Sequence, residues 1–313
     1  GSVVAIGSQN HDNKGHVRIF YNDGGTWVQR GSDIDGEAIG DESGKAISLS
    51  SDGTIIAIGA PGNNGAGGLA NGSGGEDGRG HIRIYQYSGG SWQQVGSDID
   101  GDNLRDCAGY SVSLSDDGST VAFGMPALLS GDPNGNSKVR IFQNNSGTWQ
   151  QIGSDIDGEA TADGAGFSVS LSSDGTIVAI GSPDNDGNGT SSGNVRIYQN
   201  QSGTWTQIAD IDGFSVNDRS GFAVALSDDG STVIVGASQS AGTEAGIATI
   251  YTKDLPTLTS STPSDNATAV ATNSNIVLNF SEAVDVESGN IVIYNSSNNS
   301  AVETIDVTSG QVT

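Results

Sequence analysis

The sequence predicts an all-β fold in which four-stranded sheets stack face to face, and three observations predict it. Asp-Ile-Asp-Gly recurs at 33–36, 98–101, 155–158 and 210–213, so the repeats are 65, 57 and 55 residues long. Each copy is followed by the same succession of short apolar runs and glycine turns. One of those runs is apolar on both faces, and a strand of that kind must be covered on both.

The strands of a repeat follow in order. Strand A is Ala46–Leu49, Ser111–Leu114, Ser168–Leu171 and Ala223–Leu226. An Asp-Gly turn at 52–53, 117–118, 174–175 and 229–230 closes a hairpin, because Asp-Gly between apolar runs suits the tight turns that join antiparallel strands. Strand B then places Ile56/Ile58, Val121/Phe123, Val178/Ile180 and Val233/Val235 on one face. Its other face carries Ile55/Ala57, Thr120/Ala122, Ile177/Ala179 and Thr232/Ile234. Strand C reads Val17–Phe20, Ile82–Tyr85, Val139–Phe142 and Val195–Tyr198, with an arginine second in each. A Gly-Thr/Ser-Trp turn leads into strand D, which ends at the next Asp-Ile-Asp-Gly. Four antiparallel strands in about 60 residues, sandwiched between neighbours, describe the blade of a β-propeller better than the coil of a solenoid.

Residues 1–253 are therefore expected to hold three complete and two partial blades. Gly1–Gly7 matches Gly118–Gly124, which starts the first blade after its A–B turn, and the last blade has strands A to C without a Trp-bearing strand D. A chain that begins inside a hairpin leaves an unpaired strand edge, so the expectation is a piece of a longer protein with more blades upstream. From about Asp254 the composition shifts to Thr, Ser, Asn and Val, with Pro256 and Pro263 at the junction. Residues 254–313 are expected to form a second domain, cut short at its C-terminal end. Its predicted strands are Ile276–Phe280, Ile291–Tyr294 and Val302–Val307, few for a complete β-sandwich.

Composition sets the partners. The 313 residues include 48 glycines, and 12 Lys and Arg against 37 Asp and Glu leave a net charge of −25. That surface repels nucleic acid and anionic membranes. No run is long and apolar enough for membrane insertion. Cys107 is the single cysteine, so an intrachain disulfide is excluded and cysteine usage leaves the compartment open. A leader's absence carries no weight when the chain starts inside a hairpin.

Candidate ligands come from the repeat. Each copy reads Asp-x-Asp-Gly-x4-Asp: Asp33, Asp35, Asp41; Asp98, Asp100, Asp106; Asp155, Asp157, Asp163; and Asp210, Asp212, Asp218. Three carboxylates around a glycine supply oxygen to calcium, the one cofactor the sequence suggests. The alternative is that they cap turns or pair with the strand C arginines Arg18, Arg83, Arg140 and Arg196. The loop after strand B varies most, from Ser8–Lys14 to Gly62–Arg79, and variable loops on a rigid scaffold are where ligands bind. In one copy Asp184, Asp186 and Asn188 alternate around Gly187 as a second oxygen set, or as a ligand-free loop. Trp27, Trp92, Trp149 and Trp205 suit sugar stacking or packing between repeats. His16 and His81 share a position with Lys138, Asn194 and Ile247, so chemistry common to the repeats does not need imidazole there. No nucleophile–base or metalloprotease constellation occurs, and no catalytic residue is assigned.

The run Gly166-Phe167-Ser168-Val169-Ser170-Leu171, through Asp174-Gly175, to Ala179-Ile180-Gly181-Ser182-Pro183 resembles the FG-GAP repeat of integrin α-chain propellers and bacterial surface proteins. The resemblance covers residues 1–253 and implies a seven-bladed propeller in a full-length chain. The family's calcium loop between strands A and B is absent, since only Ser-Asp-Gly or Asp-Asp-Gly stands there, and its metal residues do not carry over. Pro263–Thr268 with Asn275–Glu282 resembles SbsA-type bacterial Ig-like domains of S-layer and secreted proteins. Together they imply a non-catalytic extracellular or cell-surface binding or adhesion module, with a glycan or surface protein as partner beside other domains of the same longer chain. A structural spacer or S-layer-like element, or an accessory region of a secreted enzyme, is the alternative.

Overall fold

A computed structural model describes residues 1–64, 78–127, 137–238, 245–253, 258–263, 277–280, 290–295 and 300–306. The chain divides into two compact units, Gly1–Thr252 and Lys253–Thr313. Among the described residues all regular structure is strand, apart from a short 3-10 turn at His11–Asn13.

The first unit holds five antiparallel sheets in chain order. Sheet one is β1 (Val3–Ser8), β2 (His16–Asp23) and β3 (Thr26–Gln29), with β4 (Ile34–Asp35) also pairing β2. Sheet two is β5 (Ala46–Leu49), β6 (Ile55–Ala60), β7 (His81–Ser88), β8 (Ser91–Gln94) and β9 (Ile99–Asp100). Sheet three repeats it with β10 (Ser111–Leu114), β11 (Thr120–Met125), β12 (Lys138–Asn145), β13 (Thr148–Gln151) and β14 (Ile156–Asp157). Sheet four is β15 (Ser168–Leu171), β16 (Ile177–Ser182), β17 (Asn194–Gln201) and β18 (Thr204–Asp212). Sheet five is β19 (Ser220–Leu226), β20 (Thr232–Ala237) and β21 (Ile247–Thr252). Register is regular: Ala57 faces Ser48 on one side and Ile84 on the other, as Ala122 faces Ser113 and Ile141.

The cores lie between sheets. Val17, Ile19 and Ile34 of sheet one pack on Ile56 and Ile58 of sheet two. On the opposite face Ala57, Ile82, Ile84 and Ile99 meet Leu114, Val121 and Phe123 of sheet three. Ala122, Val139, Ile141 and Ile156 meet Val169, Leu171, Val178 and Ile180, and Ala179, Val195 and Ile197 meet Val233 and Val235. A middle strand is thus buried on both sides, large residues toward the preceding sheet and alanine toward the next. Where no neighbour follows the same logic, the apolar positions are bare. Val4 and Ile6 are 38% and 53% exposed, whereas their counterparts Val121 and Phe123 are fully buried.

Backbone contacts set the spacing between sheets. The amides of Leu114, Leu171 and Leu226 donate to the hydroxyls of Ser48, Ser113 and Ser170 in the sheet before, at 2.9–3.0 Å. Gly124 lies so close to the carbonyl of Gly166 that a Cβ would overlap it, and Gly59 meets Gly109 in the same way. Tryptophan spacing follows from strand D, which breaks at Gly31, Gly96 and Gly153, all with positive φ. Trp92, Trp149 and Trp205 of the following sheet cover those glycines, their Cδ1 atoms 2.8–2.9 Å from where a Cβ would stand. The fourth copy has Ala209 in place of glycine and one residue fewer, and β18 runs on unbroken.

In the second unit β22 (Leu258–Thr262) pairs with β23 (Val277–Phe280), and β24 (Asn290–Asn295) with β25 (Ser300–Asp306). Strand β22 has no counterpart among the strands expected from sequence. Pro256, Ile276, Val307 and most of the Ser264–Glu282 stretch that carries the Ig-like resemblance lie outside the described residues.

Candidate functional site

The aspartate columns sit where strand D of one sheet runs into strand A of the next, and the three members of a copy go separate ways. The first aspartate faces strand C. Asp33 accepts from Gln29 at 2.6 Å and Arg18 at 3.0 Å, and these bonds hold its pKa below the usual carboxylate value. Asp155 accepts from Arg140 Nε at 2.8 Å, from its NH2 at 2.9 Å and from Gln151 at 2.7 Å. Burial pushes this carboxyl up, but the Arg140 and Gln151 bonds outweigh it and bring it to about 2. Asp98 takes a 2.6 Å bond from Gln94 and has His81 Nδ1 at 3.7 Å. Asp210 accepts from neutral donors, Asn194 and Gln207, both at 3.2 Å. Burial, then the charges of Glu159 and Asp212, raise its pKa.

The second aspartates, Asp35, Asp100, Asp157 and Asp212, are exposed. Their contribution is backbone: the Asp35 and Asp157 carbonyls accept from Arg83 and Arg196 of the following sheet at 2.8 Å. The third aspartates, Asp41, Asp106, Asp163 and Asp218, are buried. Asp41 Oδ2 accepts the amides of Glu37 and Ala38 at 2.9 and 2.7 Å, and Asp106 Oδ2 those of Asp102 and Asn103 at 2.9 Å. Asp163 and Asp218 accept from Ala160 and Ser215 at 2.7 and 2.8 Å. Each closes the short loop that joins two sheets. Within a copy the first carboxylate thus serves strand C, the third closes the loop, and the second is left at the surface.

The second oxygen set is similarly engaged. Asp184 pairs with Arg219 at 2.9 Å, Asp186 accepts the Ser191 amide at 2.8 Å, and Asn188 donates to the Gly213 carbonyl at 3.0 Å. Most of the longest loop, between Gly62 and Arg79, lies outside the described residues. The tryptophans tie repeats together: the indoles of Trp92, Trp149 and Trp205 donate to the carbonyls of Arg30, Val95 and Ile152 at 2.7–3.0 Å. Trp27 is 48% exposed. A cleft of about 360 Å³ opens between Gly96–Asp100 and Trp149, also lined by Phe142 and Thr148.

Sequence reasoning missed two participants. The glutamine column Gln29, Gln94, Gln151 and Gln207 orients the first aspartates, four residues ahead in the first three copies. Glu37, Asp102 and Glu159, each directly after Asp-Ile-Asp-Gly, face strand C of the next sheet. Arg83 NH1 lies 3.6 Å from Glu37, while Arg140 bonds Asp102 through NH1 at 3.1 Å and also through NH2. Both columns are visible once the repeats are aligned, but only the stacking shows that the acids act across the gap.

Comparison with known proteins places the second unit. Residues 252–313 match the family of bacterial Ig-like domains, which are typical of bacterial surface and extracellular proteins. No curated protein matches the chain. Among solved structures, a functionally unknown protein from Desulfotomaculum acetoxidans is 14% identical with a TM-score of 0.49, covering 75% of this chain and 59% of its own. Hydrazine synthase from Kuenenia stuttgartiensis is 12% identical with a TM-score of 0.47, covering 76% of this chain and 65% of its own. The chain thus spans less than two thirds of each. No helix among the described residues is long and apolar enough to cross a membrane.

Proposed function

We propose that the chain is a non-catalytic binding or adhesion module of a bacterial surface or secreted protein, its sheets the blades of an FG-GAP-like propeller with ligand on the loop face. The observation that carries this is a bacterial Ig-like domain in the same chain as a rigid array of stacked sheets. The array supports a propeller because each sheet is sandwiched between its neighbours, as blades are. The bare apolar faces of sheets one and five suit further sheets of the same kind. A non-catalytic role is supported by the acids, which the structure commits to turns and inter-sheet ties. Glycans and proteins fit the loops that follow β1, β6, β11 and β16, since these differ in length and sequence while the strands between them repeat.

The test is a screen of the purified chain against arrayed glycans and bacterial and host surface proteins. The expected result is saturable binding that is lost when the 183–193 loop is replaced by the Ser8–Gly15 loop with the fold intact. Binding to none of them would favour a structural spacer instead.

A further inference from the structure

Three gaps between successive sheets repeat one constellation, and the residue at its centre differs in each. An acid from the preceding sheet faces the first aspartate of the next: Glu37 with Asp98, Asp102 with Asp155, and Glu159 with Asp210. The residue that opens strand C stands between them. In the second gap it is Lys138, whose ammonium lies 3.3 Å from Asp102 and 3.3 Å from Asp155. In the third it is Asn194, whose amide donates at 3.2 Å to both Glu159 and Asp210. The chain thus answers this pair of carboxylates once with a cation and once with a neutral donor.

In the first gap the central residue is His81. Its side chain is 1% exposed, and its Nε2 has no hydrogen-bond partner. Burial, reinforced by the Arg83 charge, lowers its pKa. One ring nitrogen and a carboxylate oxygen from each of Glu37 and Asp98 lie within 4.8 Å of one another. The nearby charges are Asp41, which favours a cation, and Arg83, which opposes one but is also bonded to the Asp35 carbonyl.

We propose that Glu37, His81 and Asp98 bind a divalent transition-metal ion of the zinc class, which clamps sheet two to sheet one as the Lys138 ammonium clamps sheet three to sheet two. Imidazole with two carboxylates suits such an ion, with water completing the tetrahedron, whereas calcium prefers an all-oxygen shell. Ligands on tetrahedral zinc stand about 3.3 Å apart, so the triangle must close by at most roughly 1.5 Å, and by less between His81 and Asp98, already 3.7 Å apart. Glu37 can make that movement, because its side chain is 53% exposed.

The experiment is equilibrium dialysis of the metal-free chain against zinc chloride, with cobalt(II) absorption as a second readout. The expected result is one equivalent bound, a chelator-reversible rise in Tm, and the visible bands of a low-symmetry cobalt site. His81→Lys, which installs the ammonium used in the next gap, should fold, weaken binding by at least about one order of magnitude and abolish the Tm response. Glu37→Gln and Asp98→Asn should each weaken cobalt binding, which keeps the test decisive if the lysine variant does not fold. The double variant His11→Gln, His16→Gln should bind as the parent does, since the other two imidazoles are not involved. No binding by the parent chain would overturn the proposal, as would binding that survives both His81→Lys and Asp98→Asn.

Discussion

At Gly124 a single hydrogen atom sets how closely two sheets approach. A Cβ there would run into the Gly166 carbonyl and lie 2.6 Å from the Ser111 hydroxyl, and neither belongs to a flexible chain end. Gly124→Ala should therefore cost about 1–3 kcal/mol, the usual penalty for overpacking, read as a lower denaturation midpoint with an unchanged slope. The aspartates make opposite predictions by copy. The folded pKa of Asp155 is depressed to about 2, so its stabilisation is complete above the unfolded carboxyl value of about 3.9 and fades as pH falls through that window. Asp155→Asn should flatten the acid limb of the stability curve. Asp210 is raised by burial and by Glu159 and Asp212, so its ionisation destabilises the fold as pH climbs past the ordinary carboxyl value. Asp210→Asn should raise Tm at pH 7 and change it little at pH 3. The aspartate columns were plain in the sequence, and turn capping and arginine pairing were among the roles foreseen. Which aspartate takes which role was hidden, because Arg18 turns to its own sheet's aspartate, Arg140 bonds both its own sheet's Asp155 and the preceding sheet's Asp102, and Arg83 and Arg196 reach back to the preceding sheet's backbone.

The cores of strands A, B and C were legible, since alternation of Ile, Val and Ala between Asp-Gly turns leaves little choice of register, but strand C runs eight residues, as in His16–Asp23, where the apolar alternation marks only Val17–Phe20. Strand D was not. Its break at Gly31, Gly96 and Gly153 depends on an indole from the next sheet, a long-range contact that local pattern does not carry. The pairing of glycine with a following tryptophan, and of Ala209 with none, is the sign that could have exposed it. Trp149→Phe keeps the ring over Gly96 but removes the indole donor to Val95. It should cost about 1 kcal/mol, the net worth of one partly buried hydrogen bond, visible as a lower Tm. In the second unit Leu258–Thr262 went unrecognised as a strand because its Ser and Thr residues give no apolar alternation.

For the whole molecule, a net charge of −25 and only modest apolar content are reconciled by where the apolar residues lie. Among the described residues of the first unit they are concentrated in thin layers between sheets, and the loops that join the layers carry many of the acids. Function was legible only as a class: the repeats predict a scaffold, and the Ig-like match points to the bacterial exterior. The ligand proposed above would be read by loop surfaces that differ from copy to copy and so leave no repeating signal. Burial on both faces of the middle strands is the claim on which fold, interface and proposed function all depend. Amide hydrogen exchange resolved by strand tests it most directly. The slowest exchange should fall in β6, β11 and β16, with β20, equally paired by strands on both sides but covered on one face only, faster by orders of magnitude. Protection of β20 equal to that of β6, β11 and β16, or fast exchange in β11, would contradict the stacked arrangement.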